Sequence, residues 1–262
     1  MRELLDLDRY PVDRPESPAY SALVAHCRSE LAANGMFNLD GFVRQGALER
    51  AAAEILPLAE RSSHTHQRRH NVYFVDQVPG LPADHPALRQ FDTVHHTLCD
   101  DQLSGTIVHR IYEWEPLVQF IAQVMEKPAL YVMRDPLARL NVMDYRAGEA
   151  LNWHFDRSQF TTTLLIQAPE QGGEFEYRSN LRTDTDQNYD GVGRMLRGED
   201  PDIRVNPLAG GTLNVFKGKN TLHRVSPVRG SRKRLIAVFS YYDRPGVMFS
   251  RDERIGFFGR NA

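Results

Sequence analysis

The sequence predicts a mainly β protein with flanking helices: a sandwich or jelly-roll barrel behind an N-terminal helical layer. Two observations carry this. From about Ala138 onward, short β-rich runs (ARLNVMDY, RAGEALNW, FTTTLLIQ, GEFEYR, GTLNVFKG, TLHRVSPV, RLIAVFSYY) alternate with Gly, Asn and Pro turn signals. Before that point the chain is rich in Ala, Leu and Glu at helical spacing. The change falls without a Gly/Ser or Pro-rich linker, so residues 1–262 are expected to form a single domain. Its first part, 1–130, would be mainly helical flank and lid, and 131–262 the barrel core.

Each element has a local reason. Ser17-Pro18 is a helix start, and Tyr20, Leu23, Val24, Cys27 and Leu31 recur near helical spacing until Asn34-Gly35 ends the run. Met36–Leu39 reads as a short strand and Asp40-Gly41 as a turn. A second helix is expected over about Gln45 to Arg61. Residues 62–92 read as a loop with one short strand at Asn71-Val72-Tyr73-Phe74-Val75. A further helix runs from about Glu115 to Met125, before Lys127-Pro128. Between Ser179 and Val205 lies an acidic polar insert with a helix at Tyr189–Leu196.

Composition excludes several classes. Of 262 residues, 41% are hydrophobic and 25% charged, ordinary values for a globular chain long enough to bury a core without covalent staples. Lys and Arg number 32 against 34 Asp and Glu, a net charge of −2, so no basic field argues for nucleic acid. Cys27 and Cys99 stand alone, without metal or disulfide spacing. No run of about 18 apolar residues occurs and MRELLDLDRY lacks a signal-peptide core. A cytoplasmic protein with no membrane partner is the expectation.

The distinctive resource is histidine, ten copies. His154 and Asp156 stand two apart where a strand gives way to a turn, so a local bend can direct both at one metal. That pair alone is weak, because with 34 acids in the chain one such pair is expected by chance. His223, in the later strand run Thr221–Val225, adds a second imidazole. Two imidazoles and one carboxylate form a facial set that leaves the other face of an octahedral ion open. Arg234 shares a strand face with Ile236, Val238 and Ser240. A guanidinium facing an apolar barrel interior needs an anionic partner.

The runs NWHFD, TTTLLIQAPEQGGEFEY and GGTLNVFKGKNTLHRVSPVRGSRKRLIAVFSYY resemble the Fe(II)/2-oxoglutarate-dependent oxygenases, over about residues 138–245. The resemblance implies a double-stranded β-helix with His154, Asp156 and His223 as iron ligands, and Fe(II), 2-oxoglutarate and O2 as cofactor and co-substrates. It implies that Arg234 holds the distal carboxylate of 2-oxoglutarate; Arg232, of the same strand parity, is the rival. The segments NVMDYRAGEALNWHFD and HRVSPV look most like the branch of free-amino-acid hydroxylases and radical halogenases. Halogenases of that branch carry a small residue at the metal carboxylate so that chloride can coordinate. This chain keeps Asp156, which favours hydroxylation of a small molecule, expected to be a free amino acid, with release of succinate and CO2.

Other residues have two readings each. Asn141 is polar in an apolar strand and would either donate to 2-oxoglutarate or serve as a structural amide. Thr161 and Thr163 would meet a ligand or simply fill strand positions. Arg157 would meet a substrate carboxylate or form a surface ion pair, and Trp153 reads as packing. Ser62–His70, with three histidines, reads as a solvated loop, with a lid over the mouth as the competitor. His95, His96 and His109 lack ligand spacing, and neither RGSRKR nor Gly210-Gly211 makes a nucleic-acid or phosphate motif. The competing functions are a 2-oxoglutarate-dependent desaturase or cyclase, a cupin-type dioxygenase without 2-oxoglutarate, and a non-catalytic jelly-roll binding protein.

Overall fold

A computed structural model describes all residues from Met1 to Ala262. The first helix, α1 (Pro18–Asn34), begins where Ser17 Oγ accepts from the Tyr20 N–H and ends on Gly35, whose φ of 75° suits glycine. Then follow β1 (Met36–Leu39), α2 (Gln45–Ser62), β2 (His64–His70), β3 (Phe91–Cys99), and the short helices α3 (Asp100–Leu103), α4 (Ile107–Tyr112) and α5 (Glu115–Val124). The second half contains β4 (Tyr131–Val132), β5 (Leu140–Tyr145), β6 (Leu151–His154), β7 (Thr161–Gln167), β8 (Gln171–Gly172) and β9 (Phe175–Arg178). It continues with α6 (Tyr189–Leu196), β10 (Arg204–Asn206), β11 (Leu213–Phe216), β12 (Leu222–Val225), β13 (Val228–Arg229), β14 (Arg234–Phe239), β15 (Tyr241–Tyr242) and α7 (Arg251–Phe258).

Two antiparallel sheets make the jelly roll. The larger has the order β1-β11-β7-β14-β5-β3-β2, the smaller β10-β9-β12-β6. Strand alternation sorts the side chains of the larger sheet. On β14, Leu235, Ala237 and Phe239 enter the main core of 42 residues, shared with α1, α2, α4 and α5, while Arg234, Ile236 and Val238 face a cavity. On β5, Leu140 and Val142 face the core and Asn141, Met143 and Tyr145 the cavity. The cavity therefore lies between the sheets: α1, α2, α4 and α5 cover the outer face of the larger one, and α6, through Val192 and Met195, packs on Trp153 and Leu222 of the smaller one.

Two expectations for the first half need correction. Residues 62–70 are not a solvated loop: Ser62 ends α2, and His64–His70 form β2, which pairs antiparallel with β3 and extends the larger sheet. Together with β1, these strands make the N-terminal part more than a helical flank. Conversely, Asn71–Val75 is a turn. Asn71 Oδ1 accepts from the N–H groups of Tyr73 (3.1 Å) and Val75 (3.3 Å), and its Nδ2 donates to Val75 O (2.6 Å). This side-chain network bends a segment whose apolar composition suits a strand. No helix is long and apolar enough to cross a membrane.

Candidate active site

His154 ends β6 and lies opposite His223 of β12 in the smaller sheet's register. Beyond β6 the chain turns, and the Asp156 N–H donates to Gly218 O at 3.1 Å, which brings the carboxylate back over the strand ends. Asp156 Oδ1 is 3.3 Å from His154 Nε2 and 3.6 Å from His223 Nε2, and one donor atom from each residue lies within 4.8 Å of the others. The imidazoles are oriented by backbone carbonyls. His154 Nδ1 donates to Asn152 O (2.8 Å) and His223 Nδ1 to Thr221 O (3.0 Å), which leaves both Nε2 atoms as lone-pair donors toward Asp156.

Electrostatics agree with a ligand set. Burial, aided by His154, pushes the His223 imidazolium down to about 4, so the ring is neutral at physiological pH. Burial opposes ionisation of Asp156, yet His223, His154 and the Thr161 hydroxyl outweigh it and hold its carboxyl well below the usual range. Two imidazoles and one carboxylate suit a divalent ion of the iron type.

The cluster lies in a cavity of about 370 Å³, a size suited to small molecules. Arg234 reaches it from the larger sheet, only 1% exposed. Its Nε donates to Gly173 O at 2.9 Å, its guanidinium lies 5.6 Å from the Tyr145 ring centre, and its Nη1 is buried without a hydrogen-bond partner. Burial pulls its pKa down to about 10, so it remains a cation at neutral pH. Arg232, the rival, precedes β14, is exposed, and spends its N–H groups on Glu170 and on Pro169 O.

Thr163 lines the same cavity from β7. Asn141 lines it too, but its Nδ2 donates to Leu137 O (2.8 Å) and Leu98 O (3.4 Å). The amide nitrogen is thus engaged as in the structural one of its two readings, and the carbonyl oxygen is what remains for the cavity. Arg157 stands at the mouth, exposed, with Nη1 2.6 Å from Glu253 of α7. Trp153 packs beneath Arg224 and stays outside the cavity.

Sequence reasoning missed one wall. On β2 and β3, His66, Arg68, His70, Thr93, His95 and Thr97 all face the cavity. His66 stacks on His95 at 5.0 Å, and burial pushes His95 down to about 3, making it a neutral polar surface. After β2 the Asn71 turn presents Phe74 in the left-handed region (φ 57°), stacked on His70 at 4.6 Å and edge-on to His154 at 6.1 Å. Such strain in a non-glycine residue concentrates at functional sites. The signal was present in HTHQRRH, where His64, His66, Arg68 and His70 alternate with period two.

The chain is thus a jelly roll that carries a His-Asp-His cluster in the mouth between its sheets and a buried arginine in the same cavity. Residues 20–247 match the model of the family described as Halogenase D, and the chain belongs to that family. No curated protein is similar to it in sequence.

Solved structures share the fold at low identity. SnoK, a non-haem α-ketoglutarate-dependent carbocyclase from nogalamycin biosynthesis, has a TM-score of 0.60 at 12% identity, covering 93% of this chain and 95% of its own. The epimerase SnoN, in complex with Fe3+, α-ketoglutarate and nogalamycin RO, has a TM-score of 0.59 at 16% identity, covering 85% and 84%. HygX from Streptomyces hygroscopicus, with nickel and 2-oxoglutarate bound, has a TM-score of 0.52 at 14% identity, covering 82% and 85%.

Proposed function

We propose that this chain is a non-haem Fe(II)/2-oxoglutarate-dependent oxygenase that hydroxylates an unactivated C–H bond of a small molecule, a free amino acid or close derivative. The observation that carries the reading is Arg234: a buried cation with an unpartnered Nη1, in the same cavity as the His154-Asp156-His223 cluster. A buried guanidinium of this kind calls for a carboxylate, and a dicarboxylate chelating a metal at the cluster would supply one. The donor set and the orphaned arginine atom fit the two groups together.

When bound, iron and 2-oxoglutarate couple reduction of O2 to formation of succinate and CO2, one oxygen atom entering the substrate's C–H bond. The protein's own residues do the rest. His154 and His223 offer Nε2 and Asp156 offers Oδ1 to the metal, while Arg234 receives the distal carboxylate and Thr163, opposite Val238, offers a hydroxyl to the same cavity. Phe74, Phe249 and Phe257 line the cavity and exclude water. Arg68 and Arg157 are the remaining cations of a lining whose one carboxylate is Asp156, and they suit a substrate that brings its own carboxylate.

The family bears the name of a halogenase, but the position a halide would need is filled here by Asp156, which favours hydroxylation. Free amino acids are screened for amino-acid-dependent succinate release, with mass detection of a product heavier by one oxygen atom. Succinate release by no amino acid would overturn the substrate assignment. A product lighter by two hydrogens would replace hydroxylation with desaturation or ring closure.

A further inference from the structure

We infer that Thr161 and Gly218 form a cradle that holds Asp156 as a one-oxygen ligand, with Oδ2 locked away from the cluster and Oδ1 presented to it. The inference rests on the metal role proposed above and concerns residues outside the three candidate ligands. Thr161 Oγ1 donates to Asp156 Oδ2 at 2.5 Å, while Oδ1 is the oxygen that faces both histidines. The two oxygens are thus already assigned different partners.

Gly218 completes the cradle from the other side. Its backbone is not in the left-handed region, so conformational freedom is not what requires glycine here; space is. A Cβ at this position would lie 2.3 Å from Asp156 Oδ2, 2.7 Å from Thr161 Oγ1 and 2.8 Å from Asp156 Cβ. Any side chain would push the carboxylate out of its place. The same loop accepts the Asp156 N–H at Gly218 O (3.1 Å), and Arg182 binds Lys219 O (2.6 Å) and Asp156 O (3.4 Å). The main chain of Asp156 is therefore fastened to the Lys217–Asn220 loop and its side chain to Thr161 at the start of β7, whose register partner is Phe216.

The chemical consequence concerns coordination number. Two imidazole nitrogens and one carboxylate oxygen occupy three positions of an octahedral ion and leave three. A carboxylate binding through both oxygens would take a fourth, and a chelating co-substrate plus O2 would no longer fit. Thr161 is a positioning residue in this account: it acts through Asp156 and does not touch the metal. The cradle also ties the loop before β12 to the carboxylate, which explains why KGKN carries a glycine at this point.

Co(II) binding to the metal-free protein, measured by titration calorimetry, tests this without turnover. Thr161→Val removes the hydroxyl at nearly constant shape and is expected to weaken Co(II) binding about 10- to 100-fold, the usual effect of losing a group that orients a ligand. Thr161→Ser restores binding to within about threefold, and Gly218→Ala, which crowds the carboxylate and the Thr161 hydroxyl from the loop side, weakens it at least as much as the Val variant. Parental affinity in both Thr161→Val and Gly218→Ala would overturn the cradle. His154→Ala separates the two layers: if it binds Co(II) as the parent does, the metal reading itself falls. If it loses Co(II) while the cradle variants keep it, only the cradle falls. Should Thr161→Val not fold, Gly218→Ala and the Ser rescue decide the matter.

Discussion

Replacing Arg234 with Met should weaken 2-oxoglutarate binding while leaving the stability of the metal-free protein unchanged. The guanidinium is 1% exposed, Nε is held by Gly173 O, and Nη1 has no partner in the chain. Truncating one member of a buried, hydrogen-bonded charge pair costs about 2–5 kcal/mol, and about 1.4 kcal/mol is tenfold in affinity. The dissociation constant for 2-oxoglutarate on the Ni(II)-loaded protein should therefore rise by about 30-fold to a few thousand-fold. Without 2-oxoglutarate the parent carries a buried cation with no anion facing it. Met removes that cost and forfeits one bond to a carbonyl, so the metal-free variant should match the parent's stability within about 1 kcal/mol. At a 2-oxoglutarate concentration 100 times the parent's dissociation constant, the Ni(II)-loaded parent gains about 2.7 kcal/mol and the loaded variant little. Calorimetric titration without O2 gives the affinities, and urea unfolding of the metal-free and loaded proteins gives the stabilities. A dissociation constant unchanged within threefold would refute the carboxylate role. A loss above about 2 kcal/mol in the metal-free variant would show the guanidinium to be a strut for the Gly173 turn.

Three further outcomes are expected. Asp156→Gly should lower substrate-dependent succinate formation at least about 100-fold, in line with loss of a metal ligand; full activity would remove Asp156 from the ligand set. Phe74→Gly relieves the left-handed strain and removes the aromatic surface beside His154, raising substrate KM about tenfold while the 2-oxoglutarate dissociation constant stays within about twofold. Equal changes in both would contradict its placement on the substrate side. Asp135 anchors α7 by accepting from Arg254 Nε (2.7 Å) and Phe249 N (3.0 Å), besides Leu137 N and Ala138 N. Asp135→Asn should cost about 2–3 kcal/mol in urea unfolding near pH 7. Burial opposes ionisation of Asp135, yet Arg254 and these N–H groups outweigh it and hold its carboxyl below the ordinary 3.8. Its stabilisation is thus present above that pH and drains away as pH falls through the lower folded-state value. The gap between parent and variant should narrow in acid; a gap constant down to pH 2 would contradict this.

Where sequence and structure agree, local physics is decisive. Ser17-Pro18 and Gly35 bound α1, and the apolar alternation of β7, β11 and β14 reads directly as strands because one face meets the main core. The three histidine and aspartate candidates converge because β6 and β12 are register neighbours, a relation suggested only by resemblance at the sequence level. Arg232 and Arg234 share strand parity, but β14 begins at Arg234, so Arg232 stays in the preceding loop. Elsewhere the hydrophobic code is silent. The inner face of β2 carries His66, Arg68 and His70 toward the cavity and its outer face meets solvent, so no apolar alternation marks it. The pairing of Arg157 with Glu253 joins residues nearly a hundred positions apart and has no local signature.

One anaerobic spectrum shows whether this cavity binds iron and 2-oxoglutarate together through His154, Asp156, His223 and Arg234. Adding Fe(II) and 2-oxoglutarate to the metal-free protein should produce a weak visible charge-transfer band that saturates at one equivalent of iron, is absent with either component alone, and is lost in His154→Ala. No band at saturating ligand, or an undiminished band in His154→Ala, would contradict the account.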